Sequence, residues 1–221
     1  MDNKAKKLID IVLSHEGFYA NVAGDRGGET YMGISRKAFP RWAGWQIIDQ
    51  HKPLKYNQHI KDDNLDDIVR RFYYNNFYIK LKVDNITDEL ISAHLLDHAV
   101  NTGLKNGVRV LQRAINEMSA PTIKVDGIIG QITLDKINEL DNEELAEYIV
   151  MHRRKYYQAI VKKSPSQKKF LKGWLRRVDD TTKSLQPKLT TVLFTKMKNN
   201  GILEKILRWL FSLITKKSST D

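Results

Sequence analysis

The chain has 221 residues, 41% hydrophobic and 29% charged, enough for a real core in one domain or one and a half, which excludes global disorder. It has no cysteine, which excludes disulfides, thiol nucleophiles and Cys-ligated metal sites. The net charge of +11 is uneven: residues 1–150 carry 19 basic and 22 acidic side chains, net −3, whereas residues 151–221 carry 18 basic and 4 acidic, net +14. The basic C-terminal third suits nucleic acid, anionic lipid or acidic wall polymers, or simply a solvated face.

Met1 to Lys7 is polar and charged, Leu8 to Leu13 is too short for the apolar core of a signal peptide, and no Ala-x-Ala site follows. No secretory signal is therefore expected. Lys4 to His15 reads as a helix, with Leu8, Ile9, Val12 and Leu13 at helical spacing, Glu16 extending the stripe and Gly17 ending it. Phe18 to Gly33 is glycine-rich and reads as a loop or short hairpin. Ile34 to Phe39 predicts at least a helical turn before Pro40, and the aromatic-rich stretch Arg41 to Ile60 is broken by Pro53.

Leu65 to Tyr74 predicts a helix with Asp62 or Asp63 as cap. Thr87 is the expected cap of the next helix, which carries Leu90, Ile91, His94, Leu95 and His98 and breaks at Asn101-Thr102-Gly103. Lys105 to Met118 is amphipathic through Val108, Leu111, Ile115 and Met118. Pro121 to Gly130 reads as a loop, followed by helices at Thr133 to Leu140, Glu143 to Val161 and Lys169 to Lys183. Very little reads as strand, so the fold class expected is mainly α. Beyond Pro187, Ile202 to Ile214 forms a basic amphipathic stretch interrupted by Glu204, Lys205 and Arg208. It is shorter than the span of about 20 residues needed to cross a bilayer. An anionic membrane surface or a partner protein is the occupant expected for residues 184–221.

The chemistry concentrates at His15-Glu16-Gly17-Phe18-Tyr19 and at Asp25 to Thr30. A Glu at the edge of an apolar stripe is placed to retain a proton and deliver it to a poor leaving oxygen; the alternative from pattern alone is a solvated Glu in a helix's last turn. Gly17 leaves room beside it, and Phe18 and Tyr19 are placed to pack the site or touch a sugar face. His15-Glu16 resembles the start of a zinc motif, but position 19 is Tyr and the second His is missing. His94 and His98, four apart, read as half-buried helix residues. Asp25 or Glu29 supplies a second carboxylate, Thr30 and Tyr31 offer hydroxyls to a substrate, and no Gly-Lys-Ser/Thr follows to suggest a phosphate loop.

Glu16-Gly17-Phe18-Tyr19 with Asp25-x-Gly27-Gly28-x-Thr30-x-x-Gly33-Ile34 resembles the N-acetylmuramidases of glycoside hydrolase family 108, lysozyme-like proteins of endolysin and secretion-activator type. Phe18 departs from the family's usual Glu-Gly-Gly-Tyr, which implies a reshaped subsite. Leu96 to Gly103, Val110 to Ala114 and Val125 to Leu134 resemble the predicted peptidoglycan-binding region that accompanies such a segment. The resemblance covers about residues 4–175. It implies a lysozyme-like helical fold with a glycine-rich loop or short hairpin after the first helix. It implies Glu16 as general acid and Asp25 as a second catalytic residue, with Thr30, Tyr19, Gly28 and Tyr31 toward the substrate. Asp97 would brace the Asn101–Gly103 break, and Asp126 would hold its own loop.

The domains expected are 1–85 catalytic, 86–183 peptidoglycan-binding and 184–221 a basic extension. The reaction implied is hydrolysis of the β-1,4 bond between N-acetylmuramic acid and N-acetylglucosamine in peptidoglycan, with no metal or organic cofactor. Without a signal peptide, a holin-like or dedicated exporter would deliver the enzyme from the cytoplasm to the periplasm or wall. The competing readings are a lytic transglycosylase forming 1,6-anhydro ends and a noncatalytic wall-binding protein. Nucleic acid ranks last as a partner because the basic tract lacks a reading module.

Overall fold

Helices pack around one helix, Glu89–Thr102, that is buried on nearly every side. The structure is a computed structural model that describes residues 1–22, 28–120 and 122–186. In chain order the elements are α1 (Asn3–Leu13), β1 (Tyr19–Ala20), β2 (Thr30–Tyr31), β3 (Ile34–Ser35), α2 (Gly44–Gln50), α3 (Asp63–Tyr73), α4 (Glu89–Thr102), α5 (Leu104–Met118), α6 (Gln131–Glu139), α7 (Asn142–Lys163) and α8 (Lys168–Leu185). A π-helical turn, Tyr74–Tyr78, extends α3. Met1 to Thr181 packs as one unit. The basic stretch beyond Gln186, including Ile202 to Ile214, lies outside the described residues.

Aspartates start α1, α3, α4 and α7, because a carboxylate accepts from the otherwise unpaired N–H groups of the first turn. Asp2 takes the Ala5 N–H at 2.7 Å, Asp62 that of Leu65 at 2.8 Å, Asp88 that of Ile91 at 2.8 Å and Asp141 that of Glu144 at 2.8 Å. Asp88 therefore caps α4, where Thr87 was the expected cap. The Thr87 N–H and hydroxyl instead donate to Asn138 Oδ1, each at 3.3 Å.

The stretch after α1 is a three-stranded antiparallel sheet, β1-β2-β3, with Tyr19 opposite Tyr31 and Thr30 opposite Ser35. Ile34-Ser35 is thus strand, where the apolar spacing predicts a helical turn. The two-residue turn Met32-Gly33 takes φ +45° and +76°, the paired left-handed geometry whose twist matches a tight hairpin. That pairing returns Ile34 against Tyr31, and both side chains enter the core.

Every residue from Leu90 to Ala99 on α4 is buried. A helix wrapped by neighbours loses the polar face of a surface helix, and α4 packs against α1, α5 and α7. Alpha5 lies especially near: a Cβ on Gly107 would stand 2.6 Å from Ala99 Cβ, so only glycine permits this approach. Gly103, at φ +94°, ends α4 and turns the chain directly into α5. The polar residues in the middle of α4, His94, Asp97 and His98, are consequently interior groups that need interior partners.

Candidate active site

After Leu13 the chain tightens. Ser14 closes α1, and the His15 and Glu16 N–H groups bond back to Val12 and Leu13 carbonyls at 3.0 and 3.1 Å. This turn places His15 and Glu16 between α4, α8 and the Met32-Gly33 hairpin. Glu16 Oε1 pairs with Arg177 Nη1 of α8 at 2.9 Å, and the Glu16 side chain is 17% exposed. The solvated glutamate of the bland alternative does not describe it. Its other oxygen lies by the hairpin: a Cβ on Gly33 would be 2.7 Å from Glu16 Oε2 and 2.7 Å from Tyr73 Oη. Gly33 itself faces solvent. One carboxylate oxygen is therefore engaged by a cation, and the other sits beside an open, side-chain-free turn.

Tyr73 closes the site from α3. Its hydroxyl donates to the Met32 carbonyl at 2.6 Å and so fixes the hairpin tip. Burial, then the Glu16 charge, pushes that hydroxyl far above the usual phenol range, so Tyr73 stays protonated. The π-helical turn that follows stacks Phe77 on Tyr73 with ring centroids 5.8 Å apart.

Behind Glu16 stands Asp97, fully buried on α4. Arg177 Nε reaches Asp97 Oδ1 at 2.8 Å, His15 Nδ1 reaches the same oxygen at 3.1 Å, and Arg153 of α7 donates to Oδ2. Burial alone would raise the Asp97 carboxyl, but Arg153, His15 and Arg177 outweigh it and hold it well below the usual carboxylate range. Asp97 is thus the centre of an ionic cluster joining three helices, where a local brace for the α4 break was expected. The brace comes from elsewhere: Tyr157 donates to Asn101 Oδ1 at 3.0 Å. Two carboxylates, Glu16 and Asp97, face two guanidiniums, Arg153 and Arg177, which balances the charge that burial would otherwise penalise.

His94 and His98 flank this cluster as neutral rings. Burial lowers both well below the usual histidine range, and Arg153 adds to the effect. Arg153 Nη1 lies 2.5 Å from His94 Nδ1. A guanidinium only donates, so Nδ1 is the accepting nitrogen. Among the described residues no group of His and carboxylate side chains is arranged to hold a metal.

The remaining sequence candidates separate. Asp25 lies outside the described residues. Glu29 is occupied: Tyr19 Oη donates to it at 3.0 Å, Arg36 Nε lies at 2.5 Å and Lys52 Nζ at 2.8 Å. Arg36 and Lys52 also pair with Asp49 of α2, so Glu29 anchors the sheet to α2. Tyr19 is buried and turned into this anchor. Tyr31 is fully buried, and its hydroxyl accepts the Ile60 N–H at 3.2 Å, which makes it core rather than a surface a sugar can touch. Thr30 is half-buried on β2, and Gly28 takes φ +66° with open space where a Cβ would be. Phe18 packs on His59 with centroids 4.5 Å apart, and its N–H donates to Asn57 Oδ1 at 3.0 Å. Asp126 does hold its loop, accepting from Ile128 N and Gln112 Nε2, each at 2.9 Å.

Pattern reading missed Arg177 and Tyr73. A basic residue in a basic helix and a tyrosine in an aromatic run carry no local mark. The need of buried acids for cations is the one signal that pointed toward Arg177, and no sequence signal marked Tyr73.

Residues 9–103 match the family model described as glycosyl hydrolase 108, and residues 106–179 match the predicted peptidoglycan domain. Glu16, Gly33, Tyr73 and Asp97 fall in the first region, Arg153 and Arg177 in the second. A solved structure, that of Brucella abortus SagA, is similar with a TM-score of 0.55 and 25% identity, covering 82% of this chain and 93% of the SagA chain. No curated protein matches. No helix among the described residues is long and apolar enough to cross a membrane. By these matches the chain carries a glycosyl hydrolase 108 segment over residues 9–103, followed by a predicted peptidoglycan domain over residues 106–179.

Proposed function

We propose that the protein is an N-acetylmuramidase that hydrolyses the β-1,4 bond between N-acetylmuramic acid and N-acetylglucosamine. The observation that carries this reading is the Glu16 carboxyl, largely shielded, with Oε1 on Arg177 and Oε2 at the open Gly33 turn. Breaking a glycosidic bond requires a proton on the leaving oxygen as the sugar acquires oxocarbenium character. Glu16 supplies it from Oε2, the oxygen that Arg177 does not occupy. The C–O bond breaks, the leaving sugar departs with a new hydroxyl, and water completes the anomeric carbon. Asp25 is proposed as the second carboxylate, acting on that water or on the cationic sugar. Thr30 and Gly28 are proposed to line the substrate side of the loop. The match to a predicted peptidoglycan domain supports the wall as substrate and work outside the cytoplasm, and a holin-like or dedicated exporter is proposed to deliver the enzyme there. The basic C-terminal third would favour anionic wall polymer or membrane surface.

The test compares wild type with Glu16→Gln on purified peptidoglycan, with the released ends identified by mass spectrometry. Reducing N-acetylmuramic acid ends that disappear in the variant support the proposal. Anhydro ends alone would establish the transglycosylase reading instead, and binding without any release would establish a noncatalytic wall protein.

A further inference from the structure

We infer that Arg177, on the last helix of the peptidoglycan-domain match, is a positioning residue for the acid chemistry of Glu16, so that the site is assembled jointly by both matched regions. This rests on the proposed role of Glu16. One guanidinium spans two carboxylates, with Nη1 on Glu16 Oε1 at 2.9 Å and Nε on Asp97 Oδ1 at 2.8 Å. Only a planar fork of fixed geometry makes both contacts at once; a lysine ammonium reaches as a single point. Asp97 is itself immobilised by Arg153 and His15, so the position of Arg177 is dictated from the core and not by Glu16.

The remaining donor, Arg177 Nη2, is buried without a hydrogen-bond partner among the described residues. A buried donor left unmade is costly, and the side chain keeps this arrangement because its other two nitrogens are fixed. The result for chemistry is directional. With Oε1 accepting from Arg177, the transferable proton resides on Oε2, against the Gly33 turn where no side chain intervenes. Besides Arg177 from α8, the groups facing Glu16 are Tyr73 from α3, protonated throughout, and adjacent His15, which is turned to Asp97 from α4. Arg177 is therefore the charge that acts on Glu16 most directly.

The test uses the full chain with Arg177→Met and Arg177→Lys, measuring kcat and KM for peptidoglycan alongside thermal melting. Misplacing a reacting group by about an ångström costs on the order of 100-fold. Arg177→Met is expected to lose roughly 10- to 100-fold in kcat with KM within about twofold. Arg177→Lys is expected to recover only part of the lost kcat, because a single ammonium cannot span both carboxylates. A lowered melting temperature with wild-type kcat in the folded variants would overturn the inference and leave Arg177 a purely structural residue. Full activity in Glu16→Gln would instead remove the premise, which keeps the two failures distinct.

Discussion

Gly33→Ala is the sharpest single perturbation of this site. The added Cβ would stand 2.7 Å from both Glu16 Oε2 and Tyr73 Oη, so the atoms must part by about 0.7 Å to regain an ordinary contact of 3.4 Å. The backbone also objects, because φ +76° is left-handed and costs a residue with a Cβ about 1–2 kcal/mol. For a chain of this size that lowers Tm by roughly 2–8 °C. A carboxyl displaced by several tenths of an ångström is expected to lose roughly 10- to 100-fold in kcat. Clearance of purified peptidoglycan suspensions, measured well below Tm, gives the rate, and a thermal melt gives the stability. Gly103→Ala is the control: it carries backbone strain at φ +94° with nothing within 4 Å of its Cβ, so it loses stability and keeps kcat. Wild-type kcat in folded Gly33→Ala would refute the placement of Glu16 Oε2 against the turn.

Asp97→Asn leaves Arg153 and Arg177 facing a neutral group in the interior and is expected to destabilise by about 3–5 kcal/mol, read from urea midpoints. Stability should also fall on acidification from pH 7.5 to 5, because the unfolded chain protonates His94 and His98 near pH 6.5 while the folded chain keeps both neutral. The fall should steepen below about pH 4, where the unfolded state takes up the proton that folded Asp97 refuses. Urea midpoints unchanged between pH 7.5 and 5 would contradict that account. Glu29→Gln weakens the anchor made by Tyr19, Arg36 and Lys52 and should cost on the order of 1 kcal/mol, given that both cations are partly exposed. Its peptidoglycan cleavage should stay within a few-fold of wild type, whereas abolished cleavage in a folded variant would assign Glu29 a chemical role.

Most of the longer helices were legible because their causes are local, whereas α2, inside the aromatic-rich stretch Arg41 to Ile60, was not read as a helix. The α1 stripe Leu8, Ile9, Val12, Leu13 is the buried face, and Asp62 caps α3 as its position demands. What failed was decided by pairing at a distance. Ile34-Ser35 is strand only because Thr30-Tyr31 lies opposite, and the same pairing carries Tyr31 into the core. Thr87 lost the cap to a stronger acceptor one residue on. The local half of the candidate site, Glu16 and its glycine neighbours, could be read from residue order. The other half, Tyr73, Asp97, Arg153 and Arg177, is brought in by α3, α4, α7 and α8. Asp97 was visible as an acid within an apolar helix, but its partners lie where helix packing puts them. Periodicity carries no record of that packing.

Proton delivery by Glu16 is read from the rate at which reducing N-acetylmuramic acid ends appear. A positioned general acid contributes about 10²- to 10⁴-fold. Glu16→Gln, folded and still bound to peptidoglycan, is expected to form those ends roughly 1,000-fold more slowly than wild type. Formation of the same ends within a few-fold of the wild-type rate would contradict proton delivery by Glu16.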